Sequence, residues 1–411
     1  MVKLLIIADD FTGALDTGVQ FAARGAKTKV VTDSGYNLAD AEGDVLVLDA
    51  ETRHVSPEDA YALVHSVVSS AKKAGILHIY KKTDSGLRGN IGSELAAAMD
   101  ALGVKTMPFI PAFPSMNRIT RDGVHLIDGV PVAESAFGKD PFEPVTSSDL
   151  RDIISAQTNK RTSILNPTDK LPKNGGICVY NAETDDDLNK IAGTLGELGL
   201  GLSAGCAGFA SALAAALNIK GRVPKRPKLL PSLFMICGSI NPVTRRQIKE
   251  AERCKFRRIC LAVRQKLDPE WLTSEGCAQT ADRWAAEAKT RSRMILDAND
   301  EAADKAMKQF AAENGLDTEQ IRIYISSALA GVTKELLDRG LDATLMCAGG
   351  DTLMSLMKAV GVDTLTPVCE LDKGVVLTGF IYRKKNYYVI AKSGGFGEPD
   401  LLCRLAEQIG A

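Results

Sequence analysis

Histidine is scarce, with four in 411 residues, and no two of them stand at H-x-x-x-H spacing. A histidine-held transition metal is therefore not expected. The nine cysteines are scattered and contain no C-x-x-C pair, which excludes a zinc-site signature and reads as reduced thiols in a cytoplasm. No apolar run approaches the roughly 20 residues a membrane-spanning helix needs. The opening MVKLLIIADD is not shaped like a signal peptide, because its apolar run ends at Ala8 in two aspartates. A basic excess is also missing: 50 Lys and Arg against 51 Asp and Glu leave a formal charge of −1, so neither nucleic acid nor an anionic membrane surface is expected as a partner. G-x-x-x-x-G-K-[ST] does not occur, and no G-x-G-x-x-G follows the first strand, so an ordinary P-loop or dinucleotide fold is not supported.

The length suits two domains, each with its own core, and 45% hydrophobic with 25% charged residues is ordinary for a globular chain. Strand-like and helix-like runs alternate. Strands are expected at Lys3–Ala8, Thr28–Thr32, Asp44–Leu48, Gly75–Tyr80, Thr106–Ile110 and Gly176–Tyr180, with helices between them. Thr12 is a plausible cap for the first helix and Ser56 for the one at Pro57–Lys73. Apolar runs around Asp128–Gly129 predict a hairpin within a long polar excursion. Residues 218–231, NIKGRVPKRPKLLP, are proline-rich, basic and aperiodic, as a linker would be. Beyond them, strands are expected at Ser232–Ile236, Ile321–Ile325 and Thr344–Ala348, and an antiparallel pair at Val375–Ile381 and Tyr387–Ala391. Helices are expected at Pro242–Cys254 and Ala330–Arg339. The expected class is α/β with two domains, each a mainly parallel sheet flanked by helices, divided as 1–222, a linker 223–231, and 232–411.

The chemistry-bearing residues of the first half stand at the carboxyl ends of expected strands. The stretch YKKTDSGLRGNIGSEL places Lys81, Lys82, Thr83, Asp84 and Arg88 on a glycine-loosened turn into a helix. Asp9 and Asp10 follow the first strand and Arg53 follows the third. Arginines and lysines in this setting suit a ligand carboxylate, and aspartates suit hydroxyls or a proton taken from one. Asp9–Asp10 also reads as a helix cap. Its D-D-F-T order lacks the D-x-D-x-T spacing of aspartyl-phosphate phosphatases.

In the second half, three glycine turns each leave a strand and open a helix: Gly238–Ser239, Gly349–Gly350–Asp351–Thr352 and Gly394–Gly395–Phe396–Gly397. Unpaired backbone N–H groups and helix dipoles at such turns suit a polyphosphate. Asp351 reads first as a cap with phosphate or magnesium support, and second as a base.

Taken together, ADDFTGALDTG, KKTDSGLRGNIGSEL, PAFPSMNRITRDGVHLIDGVPVAES, CGSINPVTRRQI, AGGDTLMSLMKAVGV and KSGGFGEPD span the chain in one order and closely resemble the four-carbon acid sugar kinase family. The resemblance implies an N-terminal sugar-acid domain, a C-terminal nucleotide domain and an active site in the interdomain cleft. It also implies ATP with Mg2+ as the phosphoryl source, and transfer to the 4-hydroxyl of D-threonate, D-erythronate or 3-oxo-tetronate. By position, Asp9, Asp10, Arg53, Lys81, Lys82, Thr83, Asp84 and Arg88 would bind the sugar acid. Ser239, Gly349, Gly350, Asp351, Thr352, Gly394 and Gly395 would bind nucleotide. Lys82 and Arg88 are the candidates for offsetting transition-state charge, and Asp10 or Asp84 for the base, while the metal ligands stay unassigned. Two positions depart from the family pattern: Asp351 where glutamate is usual, and Gly86 where serine or threonine is common. The first shortens a carboxylate reach and the second removes a hydroxyl. The alternative readings are an NAD-dependent sugar-acid dehydrogenase or epimerase, and a non-catalytic sugar-acid-binding protein. A cytoplasmic location is expected, and a homo-oligomer is compatible with the sequence without being required by it.

Overall fold

The apolar run Leu4–Ala8 forms β1, and all five of its residues are buried, as a parallel strand covered on both faces requires. The computed structural model describes residues 2–140, 143–223 and 225–410. The chain divides into two units, Met1–Pro224 and Lys225–Ala411. Pro224, within the stretch expected to be a linker, lies outside the described residues.

In the first unit β1 is followed by β2 (Thr28–Val31), β3 (Val45–Asp49), β4 (His78–Lys82) and β5 (Thr106–Ile110). The short strands β6 (Arg118–Arg121), β7 (Val124–Ile127) and β8 (Val130–Pro131) come next, then β9 (Thr162–Leu165), β10 (Gly176–Tyr180) and β11 (Leu202–Gly205). The helices are α1 (Phe11–Ala22), α2 (Pro57–Lys73), α3 (Ile91–Leu102), α4 (Leu150–Ser155), α5 (Asp185–Thr194), α6 (Gly196–Gly201) and α7 (Ala207–Ala216). The main sheet runs β2-β3-β1-β4-β11-β5-β10-β9 with every pair parallel. β6, β7 and β8 form a separate antiparallel ribbon, which contains the expected hairpin.

From β1 the chain leaves towards β2 on one side, and from β4 it leaves towards β5 on the other. β1 and β4 are neighbours, with Ala8 opposite Lys82. Their carboxyl ends therefore flank a topological switch point, the crevice where open α/β sheets hold ligands.

The second unit contains β12 (Leu233–Cys237), β13 (Arg257–Cys260), β14 (Arg293–Asp297), β15 (Thr344–Ala348), β16 (Thr364–Asp372), β17 (Val375–Tyr382) and β18 (Lys385–Lys392). Its helices are α8 (Pro242–Arg253), α9 (Val263–Leu267), α10 (Glu275–Ala288), α11 (Asp304–Glu313), α12 (Thr318–Asp338), α13 (Gly350–Val360) and α14 (Leu401–Gly410). The strand order is β13-β14-β12-β15-β18-β17-β16, parallel as far as β18 and antiparallel for the last two pairings. β12 and β15 are adjacent and their connections diverge, which makes a second switch point. Both units bury an apolar core against the sheet, the first around Leu5, Ile7, Leu46 and Leu95, the second around Met235, Ile295, Met346 and Ile390.

Several local expectations are corrected. Asp10, not Thr12, caps α1: its carboxylate accepts the Gly13 N–H at 3.1 Å, and Thr12 donates its hydroxyl to the same carboxylate at 2.6 Å. Residues 321–325, expected as a strand, lie inside the 21-residue helix α12, whose buried positions Leu329, Val332, Thr333 and Leu336 recur at helical spacing. Leu229, in the expected linker, packs into the second core. The cysteines are not all thiols: Cys254 and Cys403, 149 residues apart, form a disulfide, while the other seven are free. That bridge carries no spacing signal, because only the packing of α8 against α14 brings the two together.

Candidate active site

At the first switch point β1 ends in Asp9 and Asp10, β4 ends in Lys82, and the loop after β3 carries Arg53. Arg53 Nε and Nη2 donate to Asp9 Oδ2 at 3.0 and 2.9 Å, and Nη2 also lies 2.6 Å from Asp10 Oδ1 and 3.8 Å from Asp84 Oδ1. Lys82 Nζ lies 3.1 Å from Asp9 Oδ1 and 3.7 Å from Asp10 Oδ1. Arg88 grips Asp84 through Nε at 2.7 Å and Nη2 at 3.3 Å, and reaches Asp140 through Nη1 at 3.1 Å. Asp9, Arg53, Lys82 and Asp84 are all buried. Burial opposes ionisation at Asp9, but the charges of Arg53 and then Lys82 outweigh it and hold the carboxyl far below the usual range. Asp84 is likewise held well below: burial works against it, and Arg88 and then Arg53 prevail. Burial lowers Lys82 and Arg53, yet the facing aspartates win, and both stay protonated well above their ordinary values.

Thr83 completes this set. Its N–H is tied to Gly205 O at 2.8 Å, and its buried hydroxyl has no hydrogen-bond partner among the described residues. Buried polar atoms are nearly always paired, so this hydroxyl marks a place for a polar ligand group or a water. Lys81 is not brought to the cluster. Its neighbour Lys82 faces Asp9, while Lys81 Nζ is fully buried 3.0 Å from Glu94 Oε2 and donates to Lys82 O at 2.7 Å. Glu94 also takes the Thr52 hydroxyl, and burial pushes its carboxyl up. Asn90 fixes the Arg53 loop by donating to Thr52 O at 2.8 Å and Val55 O at 2.9 Å.

Sequence reasoning missed the ribbon side of this site. Arg118 donates to Ser85 Oγ, and His125 bridges Thr120 Oγ1 at 3.2 Å and Ser85 O at 3.0 Å. Burial holds His125 down at about 4, so it is neutral at neutral pH and must donate from Nε2 to the Ser85 carbonyl. The motif containing these residues was legible, but their contact with residue 85 depends on tertiary structure.

In the second unit, the three glycine turns come together beside β12 and β15. Asn241 N–H donates to Ser239 Oγ at 3.3 Å, and Asn241 Oδ1 caps α8 by accepting the Val243 N–H at 2.9 Å. Gly349 turns from β15 into α13 at φ 113°, and Gly350 opens the helix. A Cβ added at Gly394 would lie 2.8 Å from Ser239 Oγ, one at Gly395 3.6 Å from Asn241 Nδ2, and one at Gly238 would overlap Thr352 Oγ1. The turns are therefore close enough that side chains on them would fill the cradle. Asp351 does not cap α13. Gly349 occupies that position without a side-chain bond, and Asp351 Oδ2 pairs with Arg322 Nη1 at 2.6 Å.

Three residues the sequence reading passed over hold the third turn from below. Thr244 donates to Gly394 O at 2.8 Å, and Gln247 Nε2 reaches the carbonyls of Phe396, Gly397 and Glu398 at 3.0, 2.9 and 3.0 Å. Lys392 Nζ donates to Thr244 Oγ1, Ser393 O and Gly394 O at 3.1, 3.0 and 3.2 Å. With no carboxylate among these partners, burial pushes Lys392 down to about 8.

Comparison with known proteins matches each unit separately. A family model described as a sugar-binding N-terminal domain matches residues 4–213, and one described as a nucleotide-binding C-terminal domain matches residues 234–402. The chain belongs to the four-carbon acid sugar kinase family. Within it, the D-threonate kinase of Salmonella typhimurium is 29% identical over 98% of this chain and 97% of its own. The D-erythronate kinase of Heliobacterium modesticaldum is 28% identical over 100% and 97%. Among solved structures, a Salmonella typhimurium LT2 protein described as a candidate tRNA synthase superposes with a TM-score of 0.79 at 21% identity, covering 99% of this chain and 100% of its own. At that identity the likeness establishes the fold alone. On this family member, the sugar-binding match contains the whole Asp9–Arg88 cluster and the nucleotide-binding match contains all three glycine turns.

Proposed function

We propose that this chain is an ATP-dependent kinase that phosphorylates the 4-hydroxyl of a four-carbon acid sugar (D-threonate, D-erythronate or 3-oxo-tetronate) in carbohydrate-acid catabolism. The observation that carries this reading is the buried cluster of Arg53 and Lys82 against Asp9, Asp10 and Asp84, with the Thr83 hydroxyl beside it unsatisfied. Cations and hydroxyl-seeking carboxylates at one switch point suit a small polyol carboxylate. Kinases of three such acids are relatives of the chain over nearly its whole length.

ATP would lie on Ser239, Gly349–Thr352 and Gly394–Gly395, where an added Cβ at Gly394 would crowd Ser239 Oγ and the backbone N–H groups of the turns would meet the phosphates. Among the described residues, no three metal-ligating side chains are grouped. Magnesium in such sites commonly keeps its waters and rests on phosphates with one or two carboxylates, so Mg2+ arriving with ATP fits, with Asp351 the acid carried on the second turn itself. When bound, the ion would neutralise charge on the transferring phosphoryl group. Arg88 and Lys82 stay protonated and would offset developing negative charge, and Asp10 would take the hydroxyl proton. Among the described residues, no helix is long and apolar enough to cross a membrane. We place the reaction in the cytoplasm, where ATP is held and where the Cys254–Cys403 bridge would meet thiol reductants.

A coupled ADP-release assay with ATP–Mg2+ across the three acids tests this reading. Acid-dependent ADP release with at least one acid is expected. Thermal-shift screening against ATP–Mg2+, NAD and the acids separates the rivals: stabilisation by NAD but not ATP would favour a dehydrogenase, and by acid alone a binding protein. For the cradle, Gly349→Ala forces a side chain onto φ 113°. ATP affinity is expected to fall about ten-fold or more, the scale of such backbone strain. Calorimetric titration with ATP would read it, and unchanged affinity would remove this turn from the nucleotide site.

A further inference from the structure

Phe137 follows β8 and is remote in sequence from the turn that carries Asp84 and Arg88, yet its ring sits on that turn. A Cβ added at Gly86 would overlap the Phe137 ring carbons, so the ring occupies the space a side chain at position 86 would take. The guanidinium groups of Arg88 and Arg118 each lie 5.1 Å from the ring centroid. Arg88 spends its fork on Asp84 and Asp140, at 2.7, 3.3 and 3.1 Å, which leaves its planar face for the ring. The backbone of Phe137 is fixed as well: its N–H donates to Ser135 Oγ at 3.1 Å, and its carbonyl accepts the Val145 N–H at 3.1 Å. Phe137 is half-buried as a residue and packs in part against the first core. An aromatic face held this firmly beside carboxylates, cations and hydroxyls offers no hydrogen bond to a polyol. It acts by taking up room.

We propose that Phe137, seated on Gly86, is the wall that limits the length of the sugar acid and so sets the preference for four carbons over longer polyhydroxy acids. This deepens the sugar-acid kinase reading and rests on it. An added hydroxymethylene group would have to displace the ring, and with it the two guanidinium groups that stack on it. Glycine at 86 and phenylalanine at 137 form one device: a serine at 86 would push the ring out of its seat.

The test compares kcat/KM for a four-carbon and a five-carbon aldonic acid in wild type, Phe137→Ala, Phe137→Leu, Gly86→Ser and the Gly86→Ser/Phe137→Ala double variant. Selectivity ratios are read because a merely structural loss lowers both rates together. Phe137→Ala is expected to lower the four-to-five-carbon ratio by about ten-fold or more, the scale on which a pocket discriminates one added carbon unit. Phe137→Leu should move it the same way by less, and serves if the alanine variant does not fold. Gly86→Ser should change the ratio in the wild-type background and add nothing once the ring is gone, which is the coupling expected of two residues in contact. An active Phe137→Ala or Phe137→Leu enzyme with an unmoved ratio overturns this inference alone, as does a Gly86→Ser effect of equal size in both backgrounds. A wild type inactive on every four-carbon acid overturns it together with the kinase reading.

Discussion

Arg53→Ala is expected to cost the first unit about 3–5 kcal/mol of stability at neutral pH, the range seen when one partner of a buried ion cluster is removed. Arg53 is the residue that Asp9, Asp10 and Asp84 share, at 2.9, 2.6 and 3.8 Å. Without it Lys82 is the remaining ion-pair partner of Asp9 among the described residues, and the buried carboxylates of Asp9 and Asp84 repel one another with less cation to offset them. The pH dependence gives the sharper reading. In the wild type, Asp9 and Asp84 are held below their unfolded values, so their stabilising contribution is present above the ordinary carboxylate range and fades as pH falls through the folded values. In the variant, burial is opposed by less positive charge, since Arg88 still faces Asp84 and Lys82 still faces Asp9, and the folded values rise. The deficit should therefore be greatest near neutrality and shrink towards pH 3. Urea unfolding of both proteins across that range would show it. A loss under about 1 kcal/mol, or one that ignores pH, would mean that the cluster is not held together by this guanidinium. Arg53→Lys keeps the charge but not the fork, and should fall between the two.

Asp10→Asn should lower kcat by about 10²–10⁴ while leaving the protein close to wild type in stability, which is what loss of a general base looks like. The choice of Asp10 over Asp84 comes from geometry. Asp84 is gripped by Arg88 from two nitrogens and lies well below the usual carboxylate range, which makes it a poor proton acceptor. Asp10 keeps 19% of its side chain exposed, and its contacts come from a hydroxyl, one backbone N–H, one nitrogen of Arg53 and, at 3.7 Å, Lys82. Asparagine caps helices about as well as aspartate, so α1 keeps its start and the kinetic effect is isolated from folding. Single-turnover kinetics with saturating acid and ATP would report the chemical step. If Asp84→Asn loses more in kcat than Asp10→Asn, the roles are reversed. If both retain wild-type rates, neither carboxylate takes the proton.

Much of this architecture was legible because parallel strands announce themselves as short continuous apolar runs. The strands expected at Lys3–Ala8, Asp44–Leu48 and Thr106–Ile110 form, within one residue, as LLIIA, VLVLD and TMPFI, each buried at every position. Asp9–Asp10 and Lys82–Asp84 were likewise visible as charges placed just where such runs stop. What stayed hidden depends on contacts across the chain. LSAG at 202–205 is too short and too rich in small residues to read as a strand, yet it fills the sheet between β4 and β5. IRIYI alternates like a strand but joins a long helix, whose buried stripe only becomes clear over several turns. Lys81 and Lys82 look equivalent on paper. The strand's two-residue period sends them to opposite faces, one to Glu94 and one to Asp9. Phe137 carried no signal at all, because its meaning lies in the empty position at Gly86 that it fills.

The late position of β11 has a consequence for how the protein is made. The residues that would grip the sugar acid all lie before position 90, but the strand that supports Thr83 through the Gly205 carbonyl is more than a hundred residues further on. A nascent chain emerging from the ribosome would present Asp9, Arg53 and Lys82 long before the gap between β4 and β5 is filled, with two apolar strand edges waiting for their partner. Translation arrested before residue 205 should thus yield a half-sheet prone to sticking to other chains, and release from chaperones should come only once that four-residue strand has been delivered.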